Sequence, residues 1–205
     1  MYKARSSAPP EKRAGVEQEQ ASAFADALED EILREHFTRN IQFFGPESQD
    51  SVFKAFVAVI GLGGVGSHAA CLLARSGVGK LRLIDFDQVS LSSLNRHAVA
   101  TRADVGLSKP RCLKEHIARI VPEAKVDAQT AMFTADTADS MLGGGLDYVL
   151  DAIDNIDTKI ALLAACKQRG IPVISAAGAG KATHPLPYAS PFITIRSACQ
   201  TRHAG

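Results

Sequence analysis

The 205-residue chain lacks a paired cysteine motif, a long apolar run and an excess of charge of either sign, and each absence removes a class of function. Its four cysteines, Cys71, Cys112, Cys166 and Cys199, are widely scattered. Without a CxxC pair they offer neither a zinc knuckle nor the framework of a small secreted protein. Cys71 and Cys166 fall within apolar helical patterns, where a thiol serves as a small buried hydrophobe. No apolar stretch reaches the roughly 18–20 residues that span a bilayer, and the first residues have no apolar signal core. Glu11, Glu17 and Glu19 interrupt what would otherwise suit a basic organelle presequence. A formal charge of +1 sets up no field that would by itself gather nucleic acid.

What is present describes an ordinary globular protein, 46% hydrophobic and 22% charged, long enough for one α/β domain. Residues 1–20, with Pro9-Pro10 among Lys, Arg, Glu, Gln and Ser, read as a disordered leader ahead of a domain over 21–180. Phe24, Leu28, Ile32 and Leu33 recur at helical spacing, so an amphipathic helix is expected over 21–37, running into Thr38, Arg39 and Asn40 until Gly45-Pro46 breaks the chain.

The β-branched run at 56–60 predicts a strand buried on both faces. A helix over 67–75, a strand over 81–85, a helix over 109–120 and a strand over 125–130 follow, and then a glycine break at 143–145. A strand over 148–151, a helix over 156–169 capped by Gly170 and a strand over 171–175 complete the pattern. Alternation of this kind predicts a doubly wound, mostly parallel, Rossmann-like sheet whose ligands sit beyond the carboxyl ends of the strands.

The first βα turn, Gly61-Leu62-Gly63-Gly64-Val65-Gly66, has the glycines that permit a tight turn, close approach of a phosphate and close helix packing. Asp85 ends the next strand at the spacing where a carboxylate accepts ribose hydroxyls. Those features suit a nicotinamide or flavin dehydrogenase as well as an ATP enzyme. Arg96, shortly beyond Asp85 and Asp87, and Lys109 at a helix start favour ATP, because charge developing on a reacting α-phosphate is answered by fixed cations. Singly, each would read as solvated surface charge. At 151–155, Asp154 is a hard-oxygen ligand suited to Mg²⁺ or, equally, an N-cap for the helix that follows.

Five spaced motifs together resemble the ThiF/MoeB, ubiquitin-activating-enzyme-like superfamily: Arg39-Asn40-Ile41-Gln42-Phe43-Phe44-Gly45; the glycine turn with Ser67-His68; Asp85-Phe86-Asp87; Ser92-Ser93-Leu94-Asn95-Arg96-His97; and Asp151-Ala152-Ile153-Asp154-Asn155. The first and fourth are similar in wording to its tRNA threonylcarbamoyladenosine dehydratase branch, over about 34–180. The resemblance implies ATP phosphates on Gly61, Gly63, Gly64 and Gly66, ribose on Asp85, and triphosphate on Arg96 and Lys109. Asp87, Asn95 and Asn155 would join the nucleotide site, and Asp154 would bind Mg²⁺. Arg39 would enter the neighbouring subunit's site, making a homodimer the active unit. The implied reaction is ATP-driven activation of the threonyl carboxylate on a modified adenosine beside the tRNA anticodon, followed by ring closure and AMP release.

The resemblance implies a cytoplasmic protein, or in a eukaryote one at the mitochondrial outer membrane. Zinc pairs are absent, as in the dehydratase branch, and no thioester cysteine of a ubiquitin-like or sulfur-carrier activating enzyme stands out. Beyond Gly180 the wording departs from the family: residues 181–205 read as an atypical tail, and no Asp or Glu follows Asp157. This leaves an inactive nucleotide-binding fragment as another reading, with an open sheet edge expected beside 171–175.

Overall fold

A computed structural model describes residues 31–176 and 192–195. The expected leader over 1–20, residues 21–30 of the expected first helix, and the tail over 181–205 apart from 192–195 lie outside the described residues. The chain divides into two units, Met1–Asp50 and Ser51–Gly205.

In the first unit, helix α1 (Glu31–Phe44) continues past Phe37, and Gly45 at φ +83° ends it. Among its described side chains, Leu33 and Phe37, one turn apart, are buried. Pro46, expected to break the chain, instead opens helix α2 (Pro46–Lys54), which runs across the boundary between the units. A proline at the first helical position forfeits no hydrogen bond, and Glu47 beside it suits the positive end of the helix. With little but Val52 and Phe53 apolar, this helix shows no periodicity to read.

The second unit is the wound sheet. Its elements are β1 (Phe56–Ile60), α3 (Gly64–Arg75), β2 (Lys80–Ile84), α4 (Lys109–Ile120), β3 (Lys125–Gln129), α5 (Ala138–Leu142), β4 (Tyr148–Asp151), α6 (Ile156–Arg169), β5 (Val173–Ala176) and β6 (Phe192–Ile195). The strand order is β3-β2-β1-β4-β5-β6, parallel except for the antiparallel β5–β6 pair. Every residue of β1 is buried, because its alternate side chains enter two different cores. Val57 and Val59 pack with Ala70 and Ala74 of α3 and Leu113 and Ile117 of α4. Ala58 and Ile60 pack with Met141 and Leu142 of α5 and Leu162 and Cys166 of α6.

Two differences from expectation have local causes. Helix α3 begins at Gly64, not Ser67: the last two glycines of the turn form its first turn, where the Ser67 N–H donates to the Gly63 carbonyl at 3.1 Å. The edge of β5 is not open, because β6 pairs along it from Val173↔Ile195 to Ala176↔Phe192. The β-branched stretch Phe192-Ile193-Thr194-Ile195 was hidden in a tail judged by its average composition. Helix α5, with five residues, is too short to show a period.

The chain leaves β1 toward β2 on one side, while β4 lies on the other, with Ile60 paired to Asp151. That reversal opens a crevice at the carboxyl ends of β1 and β4, which is where the glycine turn and the 152–155 loop emerge.

Candidate active site

The glycine turn is built so tightly that two of its glycines admit no side chain. Gly61 has φ +86°, and a Cβ placed on it would lie 2.7 Å from the Ala152 carbonyl oxygen. One placed on Gly66 would lie 1.8 Å from the Gly61 carbonyl oxygen. Gly63 has nothing within 4 Å, so its surface is open to a ligand. No side chain caps α3 at Gly63, which leaves the first backbone N–H groups of the helix available to an anion.

Asp85, directly after β2 and only 8% exposed, closes the turn. Its Oδ2 accepts from the Leu62 N–H at 2.6 Å and its Oδ1 from the Asp87 N–H at 2.8 Å. The buried Lys109, at the start of α4, places Nζ 2.6 Å from Asp87 Oδ2 and 3.9 Å from Asp85 Oδ2. Arg96, from the 92–97 segment, packs on the glycine turn: a Cβ on Gly64 would meet its Cβ, Cγ and Cδ at 3.5–3.6 Å. Its Nη1 donates to the Ser92 carbonyl at 2.6 Å and to Asn95 Oδ1 at 3.2 Å, so Asn95 steadies the arginine. Ser67 Oγ, by accepting from the Ala98 N–H at 3.0 Å, ties this segment to α3.

Across the crevice, the two readings of Asp154 separate. The N-cap of α6 is Asn155, whose Oδ1 accepts from the Thr158 N–H at 2.9 Å. Asp154 is exposed and makes no hydrogen bond or ion pair with the described residues, so its carboxylate is available to a cation. Mg²⁺ commonly takes one or two carboxylates with substrate phosphates completing its shell, and a single unpaired Asp154 fits that donor set. Arg39 lies in the first unit, exposed on α1, its Nη1 donating to Gln42 Oε1 at 3.3 Å.

Sequence reading missed three contributors. Lys159 of α6 and Ser175 of β5 both bind the fully buried Asp151; their signal, a lysine one turn into the helix and a serine at a strand end, has meaning only once β4 and β5 are side by side. His97 is buried, with Nδ1 accepting from the Ala100 N–H at 3.1 Å and Nε2 unpaired among the described residues. Burial, reinforced by the positive charge of Lys109 and by His68, lowers its pKa to about 4. Burial also raises the thiols, Cys112 and Cys166 to about 11, consistent with structural cysteines.

A glycine turn and an adjacent carboxylate at the switch point of a mostly parallel sheet define a doubly wound, Rossmann-like α/β protein. The ThiF family model matches residues 37–203, so the family pattern, expected to stop near Gly180, extends through most of 181–205. The chain belongs to the ThiF family. It is 41% identical over 159 residues to tRNA threonylcarbamoyladenosine dehydratase 2 of Saccharomyces cerevisiae, covering 77% of this chain and 36% of that protein. It is 44% identical over 149 residues to the Bacillus subtilis tRNA threonylcarbamoyladenosine dehydratase, covering 73% and 59%. Among solved structures, the E. coli tRNA N6-threonylcarbamoyladenosine dehydratase in complex with ATP superposes with a TM-score of 0.71 at 37% identity, over 74% of this chain and 62% of that one. The chain thus spans between about a third and three fifths of the length of these relatives.

Proposed function

We propose that this chain is an ATP-dependent adenylate-forming enzyme of the tRNA threonylcarbamoyladenosine dehydratase type. The observation that carries the reading is a glycine turn that has Arg96 packed on Gly64 and is fastened through Leu62 to Asp85, whose neighbours are Lys109 and Asp87. A hydride-transfer site has little use for those added cations. A triphosphate whose α-phosphorus is under attack gains from every one.

In this reading the exposed N–H groups at the start of α3 hold the ATP phosphates, and Asp85 orients the ribose while fixing the turn. Arg96 and Lys109 answer the charge that builds up as a substrate carboxylate oxygen attacks the α-phosphorus and pyrophosphate leaves. Asp154 would hold Mg²⁺, which supplies positive charge to the phosphate oxygens. The acyl adenylate is then opened by a nitrogen of the same modified adenosine, which forms the ring and releases AMP. The tRNA substrate is proposed from the relatives' names. Arg39 acts in trans within a homodimer, as the motif around it suggests.

Calorimetry should detect Mg²⁺-dependent ATP binding that weakens sharply in Asp154→Ala and Arg96→Ala. Tighter binding of NAD than of ATP would replace this reading with a nicotinamide-dependent oxidoreductase. For the dimer, Arg39→Ala and Asp154→Ala variants, each nearly inactive, should regain activity on mixing, because a hybrid dimer holds one intact composite site. Exchange of subunits without recovery contradicts the trans role.

A further inference from the structure

Asp151 ends β4 with no exposed surface, a position where a bare carboxylate would be strongly destabilising. Lys159 answers it. Its Nζ donates to Asp151 Oδ2 at 2.5 Å, to the Ala176 carbonyl at 3.0 Å and to Ser175 Oγ at 3.3 Å, so all three ammonium hydrogens are engaged. Ser175 Oγ donates to the same Oδ2 at 2.5 Å, and Oδ1 accepts from the Ile153 N–H at 3.0 Å. One lysine in the first turn of α6 therefore joins the ends of β4 and β5.

The loop it holds forms the wall of the glycine turn. The Ala152 N–H donates to the Ile60 carbonyl at 2.9 Å, and the Ala152 carbonyl and Cβ bear on Gly61 and Gly66. Asp154 follows two residues later, exposed. One carboxylate thus ends β4 and a second follows in the loop after it, and Lys159 occupies the first.

We propose that Lys159 is a positioning residue for the metal-nucleotide site: by neutralising Asp151 it holds the 152–155 loop against the glycine turn and leaves Asp154 as the carboxylate presented to a divalent cation. This rests on reading the crevice as a Mg²⁺–ATP site. Lys159 acts through Asp151 and does not itself reach the nucleotide, because its donors are all taken. Without its ammonium, a charged Asp151 is drawn toward water, and the loop that moves with it pulls Ala152 from Gly61 and offers the cation a competing ligand. With both charges removed, that cause disappears.

The test compares the parent chain, Lys159→Met and the double variant Lys159→Met with Asp151→Asn. Two readouts are used: amide hydrogen exchange of the ligand-free protein, and the Mg²⁺ concentration needed for half-maximal ATP binding by calorimetry. In Lys159→Met, exchange at Ile153 and around Leu62 to Gly64 should quicken while β2 and α4 keep their protection, and the Mg²⁺ requirement should rise about 10- to 100-fold. In the double variant both should return most of the way to the parent. Should Lys159→Met fail to fold, parent-like exchange and Mg²⁺ requirement in the double variant still support the proposal. A single variant indistinguishable from the parent overturns it, as does a folded double variant that binds Mg²⁺–ATP poorly, since the ammonium would then act on the nucleotide directly. A parent that binds no ATP would sink the nucleotide reading alone, and the exchange data would still decide whether Lys159 holds the loop.

Discussion

The backbone N–H of Leu62 donates to Asp85 Oδ2 at 2.6 Å, so the carboxylate expected to accept a ribose also fastens the glycine turn to the end of β2. Replacing it does more than remove a ligand contact. Asp85→Ala leaves the Leu62 and Asp87 N–H groups without their acceptor and takes one counter-charge from the buried Lys109. Unfolding in urea should show a loss of about 1–3 kcal/mol, accompanied by weaker ATP binding. An unchanged midpoint with lost ATP binding would mean that Asp85 serves the ribose alone.

The glycines of the turn should separate into structural and ligand-facing positions. Gly66→Ala forces a Cβ to within 1.8 Å of the Gly61 carbonyl oxygen, so the turn must open; a loss of stability of about 3 kcal/mol is expected. Gly63 has negative φ and open space around it. Gly63→Ala should stay within about 0.5 kcal/mol of the parent in thermal unfolding while weakening ATP binding, because its methyl projects where a phosphate would lie. Equal destabilisation by the two changes contradicts this division.

This pair also shows what a sequence can disclose. The glycine spacing, the β-branched run at 56–60 and the capped helix at 156–169 are local patterns, and local patterns carry the wound architecture and most of the candidate nucleotide site. Lys159 and Ser175 carry no such mark: they become partners of Asp151 through the lateral pairing of β4 with β5, which no short window contains. Helix α2 went unread because Pro46 signals a break and a first helical position alike, and β6 because its four residues sit in a Pro- and Ser-rich stretch.

Burial of neutral His97 predicts an acid-sensitive fold. Its pKa is lowered from 6.5 to about 4, so the unfolded chain binds the proton more readily, and stability present above pH 6.5 is lost as the pH falls toward 4. The contribution is on the order of 3 kcal/mol. Thermal unfolding from pH 7.5 to 4.5 should therefore show a steeper decline for the parent than for His97→Gln, which has no group titrating in that window. Parallel curves would place the acid sensitivity elsewhere.

Asp154 and Asn155 are adjacent and should behave oppositely. Asn155 caps α6, so Asn155→Ala should lower stability by about 1 kcal/mol, measured in denaturant. Asp154 is exposed and unpaired among the described residues, so Asp154→Asn should leave the denaturation midpoint in place while raising the Mg²⁺ needed for ATP binding. A shift of midpoint in Asp154→Asn, with no change in Mg²⁺ requirement, would return Asp154 to a structural role.

If the crevice adenylates a carboxylate on tRNA, AMP release and a change in nucleoside mass must occur together, and both are measured in one reaction. The purified chain is incubated with Mg²⁺, ATP and tRNA bearing threonylcarbamoyladenosine, with Asp154→Asn in parallel. AMP release should depend on the modified tRNA, be matched by loss of one water from that nucleoside, and be strongly reduced in Asp154→Asn. AMP release without any change in nucleoside mass, or no AMP release from a chain that demonstrably binds Mg²⁺–ATP, would contradict that adenylation.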